Sequence, residues 1–395
     1  MLARAKSVFI FTVSTVGILI AARESVATSA TTGNVTRSRE YRSAIGATDS
    51  LWRDTTVIPY EATCPACRIV LQRSIVIGDT AGPGLLSNGV LVQRSRPGLY
   101  FVVTIPETHQ VVVFDSNGAI RTVFGHRGSG PGEYRFISQI LPRDSTLYII
   151  DNSNLRLTEV SFDGEPLKEV RLPGLVHSLA AVDDSTYFIN ADVLTSERVG
   201  YTLHVLDQGG NLGESFGETT GTFQPPYRSE RLLAQQSPSI IWVLDKRTYV
   251  LEMWNSSGEL LRAMRFEPEW LEPGQEATQP DGLPYPATAL RSLAVDRSGL
   301  LWVVATVPDS RWRGALTRTR PGPGGTRPGY EVTDYDRYYD TVIDVIDPNA
   351  SMLVSTLRTD RYYHSFADAS HLAALTEDTI GFYHLTIDSV FLTGR

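Results

Sequence analysis

Apolar positions along this chain come in short runs that alternate with polar residues or are continuously β-branched, and each run is closed by Asp, Asn, Ser or Gly. That is the signature of strands joined by tight turns rather than of helices. A strand carrying an aromatic recurs six times, around Leu99-Tyr100, Leu147-Tyr148, Thr186-Tyr187, Ile241-Trp242, Leu301-Trp302 and Ile380-Phe382. Turns recur with it, at Asp115-Ser116-Asn117-Gly118, Phe162-Asp163-Gly164, Asp207-Gln208-Gly209-Gly210, Asn255-Ser256-Ser257-Gly258 and the degenerate Asp347-Pro348-Asn349-Ala350. A unit this small cannot bury its own apolar face, so such units must stack on one another.

The pattern predicts an all-β, six-bladed β-propeller of four-stranded antiparallel blades over residues 61–395. Unit one reads as Gly89 to Gln93, Leu99 to Val103, Gln110 to Phe114 and Ile120 to Phe124. Unit six reads as His371 to Thr376, Ile380 to Ile387 and Ser389 to Thr393, after which the chain stops one strand short. A spare strand at Arg68 to Ile77 precedes unit one. Pairing it with unit six would close the ring and remove the open edge that a linear array exposes.

Residues 1–30 read as a secretory signal: Arg4 and Lys6, then an uncharged stretch from Ser7 to Ala22, then small residues. That stretch is shorter than the ~20 apolar residues a membrane span needs. The expected location is periplasmic or secreted, with no stable membrane span after cleavage. Residues 31–60, rich in Thr, Ser and Arg, read as a poorly ordered arm. Without the first thirty residues the net charge falls from −8 to −10, which makes nucleic acid an unsuitable partner.

The only cysteines are Cys64 and Cys67. Arg68 stands where haem attachment needs His, and a zinc ribbon needs a second pair. Export favours a local disulfide, with a redox or partial metal site as the alternative.

Between units one and two the chain reads Phe124-Gly125-His126-Arg127-Gly128-Ser129-Gly130-Pro131-Gly132-Glu133-Tyr134. This stretch, after its Val-Phe-Asp-x-x-Gly hairpin, resembles the bacterial secreted six-bladed β-propeller proteins related to NHL repeats, as does the opening strand from Cys64 onward. The resemblance covers about residues 64–395 and implies the fold and an extracytoplasmic setting. Related propellers include lactone hydrolases and a lyase that hold a divalent metal in the central channel, which keeps a metal-dependent enzyme as the alternative function. No ligand set for such a metal can be named here, so no cofactor is expected.

Strand parity puts two kinds of connection on each face of the ring. The second-to-third and outer-to-inner connections share one face, here face one, and they include His126 to Arg135, Asp192 to Gly200, Gly217 to Arg231, Glu267 to Thr288 and Pro308 to Tyr339. Face two carries the short Asp/Gly turns. Binding residues favour loops held by a rigid scaffold, so face one is the expected recognition surface for a protein, peptide or glycan. Its candidate residues are His126, Arg127, Glu133, Arg135, Asp151, His177 and Asp192, the last three expected to approach the channel mouth from neighbouring blades, with Arg311, Trp312 and Arg313 as anchors in a lid or docking loop. The histidines at 109, 126, 177 and 364 fall on this face singly, without metal-ligand spacing.

Overall fold

A computed structural model describes residues 55–395 apart from 88, 105–108, 182, 184–185, 194, 196, 199, 219–229, 272–282 and 320–328. The predicted signal and most of the arm lie outside the described residues. Six antiparallel sheets follow one another along the chain. Blade one is Val90–Arg94, Tyr100–Thr104, Val111–Phe114 and Ile120–Phe124. Blade two is Ile137–Pro142, Thr146–Asp151, Arg156–Ser161 and Pro166–Arg171. Blade three is Leu175–Ala181, Thr186–Asp192, Tyr201–Asp207 and Leu212–Glu218. Blade four is Arg231–Ser237, Ile240–Asp245, Val250–Asn255 and Leu260–Phe266. Blade five is Ala289–Val295, Leu301–Pro308, Tyr339–Asp347 and Met352–Thr359.

Second strands touch a neighbouring blade on each side, so both of their faces are apolar and alternation disappears. Every residue of Tyr100–Thr104 is buried, and only the last of Leu301–Pro308 is not. Six apolar clusters, one per junction, hold the blades together. Phe101 and Val113 meet Ile137 and Ile149 between blades one and two. Around the ring, Ile77, Leu385 and Ala373 meet Val92, Tyr100 and Val112 between blades six and one. That last cluster is the closure.

Closure is made by β2 (Arg68–Ile77), which pairs antiparallel with Tyr383–Thr393 from Arg68↔Thr393 to Ile77↔Leu385. Blade six differs from the sequence reading inside its own boundaries. Its inner strand is Ser365–Asp368, its second is His371–Glu377, and its third runs unbroken through Tyr383–Thr393. The sequence reading placed each one position too far in. The inner strand is only four residues long and carries little periodicity, whereas Asp378-Thr379-Ile380-Gly381 imitates the turns used elsewhere. Asp378 Oδ1 accepts the backbone N–H groups of Ile380 and Phe382, which makes Ile380–Phe382 part of a face-one turn and not an aromatic strand. Asp388, in the middle of the third strand, is tied to Arg361 and Tyr363. It therefore does not interrupt the strand.

The end of the expected arm is ordered. β1 (Thr56–Ile58) adds to the outer strand of blade four in parallel, Thr56↔Met264 to Ile58↔Phe266. Ile58 is buried there. Thr63 and Cys64 then donate backbone hydrogen bonds to Leu353 and Val354 of blade five. A disulfide joins Cys64 to Cys67, and the chain enters blade six. Residues 56–77 thus strap three consecutive blades.

Beneath the strap, the buried Asp344 of blade five accepts hydrogen bonds from Tyr60 (2.9 Å) and Tyr249 (2.6 Å), and Trp270 donates to Tyr60. Burial raises the Asp344 carboxyl above its ordinary value, opposed by the bonds from Thr356, Tyr249 and Tyr60. A folded-state pKa above the unfolded one means the folded chain holds the proton more tightly. This group's contribution is then full below the unfolded value of about 4 and is lost as pH rises through the folded value. Urea unfolding of wild type and Asp344→Asn from pH 4 to pH 8 is expected to show the wild type losing ground to the variant as pH rises. A pH-independent difference would contradict the account.

Candidate functional site

The strand order puts every long connection on face one, and the surface chemistry agrees. Among the described residues, twelve large hydrophobics are exposed. Leu85, Phe136, Tyr335 and Ile380 sit in face-one connections and Leu175 starts a strand there, Ile120 and Leu260 start outer strands at face two, and the other five lie on outer strands, the strap and the third strand of blade six. None lies on a face-two turn.

The glycine-rich connection after blade one is held from within. Glu133 folds back to accept the N–H groups of Ser129 (2.8 Å) and Gly130 (2.7 Å), with His126 Nε2 at 3.1 Å. Those backbone bonds keep its carboxyl below the ordinary value. A methyl group on Gly128 would lie 2.0 Å from Glu133 Oε2, and Gly132 takes φ +72°. Only glycine fits either place without rearrangement. Arg156 donates to the carbonyls of Ser129, Gly130 and Glu133 and pairs with Glu169 at 3.1 Å. The side chains of His126, Arg127 and Arg135 remain exposed on this braced loop.

Asp151 does not reach the channel mouth. It is fully buried and accepts the N–H groups of Arg135 (2.9 Å), Phe136 (3.0 Å), Ser153 (3.2 Å) and Asn154 (3.1 Å), plus the Asn154 amide (2.6 Å). Its role is to pin two loops together. His177 and Asp192 do come together, with Nε2 to Oδ2 at 2.8 Å and both side chains mostly buried. Beside them, burial works to raise the Glu230 carboxyl, but Lys246 at 2.5 Å and the charge of His177 hold it below its ordinary value. This is an acid–base cluster at the junction of blades three and four.

His177 owes its position to a bulge. The inner strands of blades two, three and five each carry one unpaired residue near face one: Ser138, His177 and Arg291. A bulge re-aims a side chain that regular pairing would send to the other side. No single stretch of sequence announces this repetition, because pairing partners must be known before the extra residue shows.

The axial channel, of about 290 Å³, is lined by all six inner strands. Four of its polar residues bind neighbouring blades: Gln93 donates to Phe366 O, Gln139 to Leu179 O, and the hydroxyls of Ser178 and Ser292 accept from Leu233 N and Phe366 N, whereas Gln235 donates to Ser237 O of its own blade and Gln139 Oε1 is buried without a partner. Asp368, at its face-two end, pairs with Arg94 and His371. Among the described residues no three His, Cys, Asp or Glu side chains are grouped as a metal ion would need.

The described part of the Pro308–Tyr339 insertion is folded, which corrects the expectation for Trp312. It contains a 3₁₀ turn, Trp312–Ala315, a hairpin of Leu316–Arg318 with Tyr330–Val332, and a helical turn, Tyr335–Tyr338, capped by Asp334. Trp312 is buried against Tyr285 and Tyr338, with ring centres 5.4 Å and 6.4 Å away, and the Arg313 guanidinium covers it at 4.4 Å. Arg311 clamps Asp309 through Nη2 at 2.8 Å. These side chains hold the insertion together, and the exposed ring is Tyr335 instead. Trp312→Ala is expected to cost the insertion ~3–5 kcal/mol of local stability. Limited proteolysis would then cut within 309–338 much faster while the ring's thermal unfolding stays nearly unchanged; equal cleavage rates would contradict this packing role.

The sequence pattern of the 6-bladed beta-propeller family matches residues 89–273. No curated protein matches the sequence significantly. Among solved structures, a Bacteroides vulgatus protein of the DUF4221 family is similar at a TM-score of 0.57 and 10% identity, covering 84% of this chain and 99% of that one. A Bacteroides fragilis protein described as exported is similar at 0.53 and 13%, covering 85% and 100%. Identity this low establishes a shared fold. No helix among the described residues is long and apolar enough to cross a membrane.

Proposed function

Because this chain is a six-bladed β-propeller that shares its pattern with that family over residues 89–273, we propose that it is an extracytoplasmic binding module that recognises a protein, peptide or glycan through face one. The observation that carries the reading is the asymmetry between faces. One side holds the folded insertion, the long connections and five exposed hydrophobics; the other holds tight turns. Apolar and aromatic side chains displayed among polar loops are the ordinary composition of a recognition surface. The export signal read in residues 1–30 and the Bacteroides fragilis relative described as exported support the setting. Gln93, Gln139, Ser178 and Ser292 of the channel wall spend hydrogen bonds on neighbouring blades, and that favours recognition on the face over chemistry inside the ring.

Shielding one face at a time tests this. A bulky maleimide polymer is attached to Tyr335→Cys on face one or Ser116→Cys on face two, and binding of the processed protein to a cell-envelope extract is measured by interferometry. The face-one shield should abolish binding and the face-two shield should leave it intact. The reverse result would move the recognition surface to the other side.

A further inference from the structure

One place on face one carries a charge that no carboxylate among the described residues balances. Arg291, the bulged residue of blade five's inner strand, bonds Thr306 Oγ1 through Nε at 2.9 Å and lies 5.8 Å from the centre of the Tyr339 ring. Among the described residues no carboxylate pairs with it. Its charge reaches His364, at the start of blade six, where burial first and Arg291 second hold the imidazole pKa down at about 4. His364 is therefore neutral at pH 7, and its buried Nε2 has no hydrogen-bond partner while Nδ1 faces Ser365.

Three tyrosines form a stack from this point outward. Tyr339 lies against Tyr362 at 5.5 Å and Tyr362 against Tyr335 at 5.2 Å, each pair stacked at 26°. Tyr335 ends the stack with an exposed ring. Acids stand at this outer end: the charge of Glu331 reaches Tyr335 and Tyr383, and that of Glu377 reaches Tyr383. The surface is thus cationic at one end, aromatic along its length and anionic at the other.

We propose that this junction of blades five and six binds an acidic oligosaccharide, with the carboxylate of one unit on Arg291 and the pyranose face of a further unit on the exposed ring of Tyr335 that ends the stack. A guanidinium recognises a carboxylate through paired N–H donors, and a half-buried one without a partner is relieved of an uncompensated charge when an anion arrives. The C–H face of a pyranose ring packs on aromatic rings, and its hydroxyls are donors that Glu331 and Glu377 accept. A carboxylate-bearing peptide satisfies Arg291 but supplies no ring of hydroxyls for the acidic end.

This inference rests on face one being the recognition surface. Calorimetric titration of the processed protein with neutral trisaccharides that carry one terminal galacturonate, glucuronate or mannuronate unit, each against its uncharged counterpart, tests it. At least one uronate should bind tenfold or more tighter than its counterpart. Arg291→Gln should remove that preference, Arg291→Lys should restore part of it, and Tyr335→Ala should weaken charged and uncharged sugars alike by about tenfold. Thermal unfolding confirms that each variant is folded, and Tyr335→Ala, at an exposed ring, keeps the test valid if Arg291→Gln is not. No uronate binding, an unchanged preference in Arg291→Gln, or stronger binding of acidic peptides than of any uronate would overturn the proposal. If uronates fail while the face-one shield still blocks envelope binding, the ligand class falls and the recognition surface stands.

Discussion

Removal of Arg68–Ile77 is expected to leave a chain with no cooperative unfolding transition. β2 supplies the outer strand of blade six, and its last residue, Ile77, belongs to the apolar cluster that joins blade six to blade one. Without it, the long strand Tyr383–Thr393 becomes an open edge, and the strap loses its continuation from blades four and five. A milder version is Ile77→Asp, which puts an unpaired charge into that cluster and should cost ~3–5 kcal/mol. Differential scanning calorimetry reads both. A deletion variant that unfolds at the parent's temperature with the parent's enthalpy would contradict closure by this strand.

Asp151→Ala is expected to be the most damaging single substitution outside the apolar clusters. It strips the acceptor from four backbone N–H groups and the Asn154 amide, all drawn to one buried carboxylate. Arg156, 4.0 Å away, loses its nearest buried counter-charge as well. Orphaned buried donors cost about 1–3 kcal/mol each, reduced where water enters, so a net loss of ~3–5 kcal/mol is expected. Asp151→Asn keeps one acceptor oxygen and should lose roughly half of that. Chemical denaturation of both variants checks the order, and a variant that lost ligand binding at full stability would return Asp151 to the binding surface.

The ring was legible from the chain because its evidence is repetitive. Five blades have the strands that alternation and turn residues announce, and the closing strand was visible as a spare between Cys67 and unit one. Blade six misled because a short inner strand gives no periodicity and Asp378-Thr379-Ile380-Gly381 copies the turn signal in a different connection. Strand β1 was hidden because three residues paired in parallel on an existing edge leave no pattern of their own.

The candidate site was legible only at the level of loops. Face one could be assigned by counting strands, but of Asp151, His177 and Asp192, expected together at the channel mouth from neighbouring blades, only the last two meet, and they do so within blade three. Which side chains face outward could not be read: Trp312 looked like an anchor because aromatic and arginine residues dominate anchors, yet the same residues build the insertion's own core. Arg291 and His364 were missed for a different reason. One sits in the middle of a strand and the other was read as a lone loop histidine, and only their convergence across 73 residues of sequence gives them meaning.

Oxidative footprinting of the processed protein, free and saturated with the envelope fraction it binds, tests the central claim most directly. Recognition through face one predicts protection at Leu85, Phe136, Leu175, Tyr335 and Ile380, with Ile120, Leu167 and Leu260 on the outer strands labelled equally in both states. Protection confined to the outer strands or to the face-two turns, with Tyr335 and Phe136 labelled as before, would contradict it.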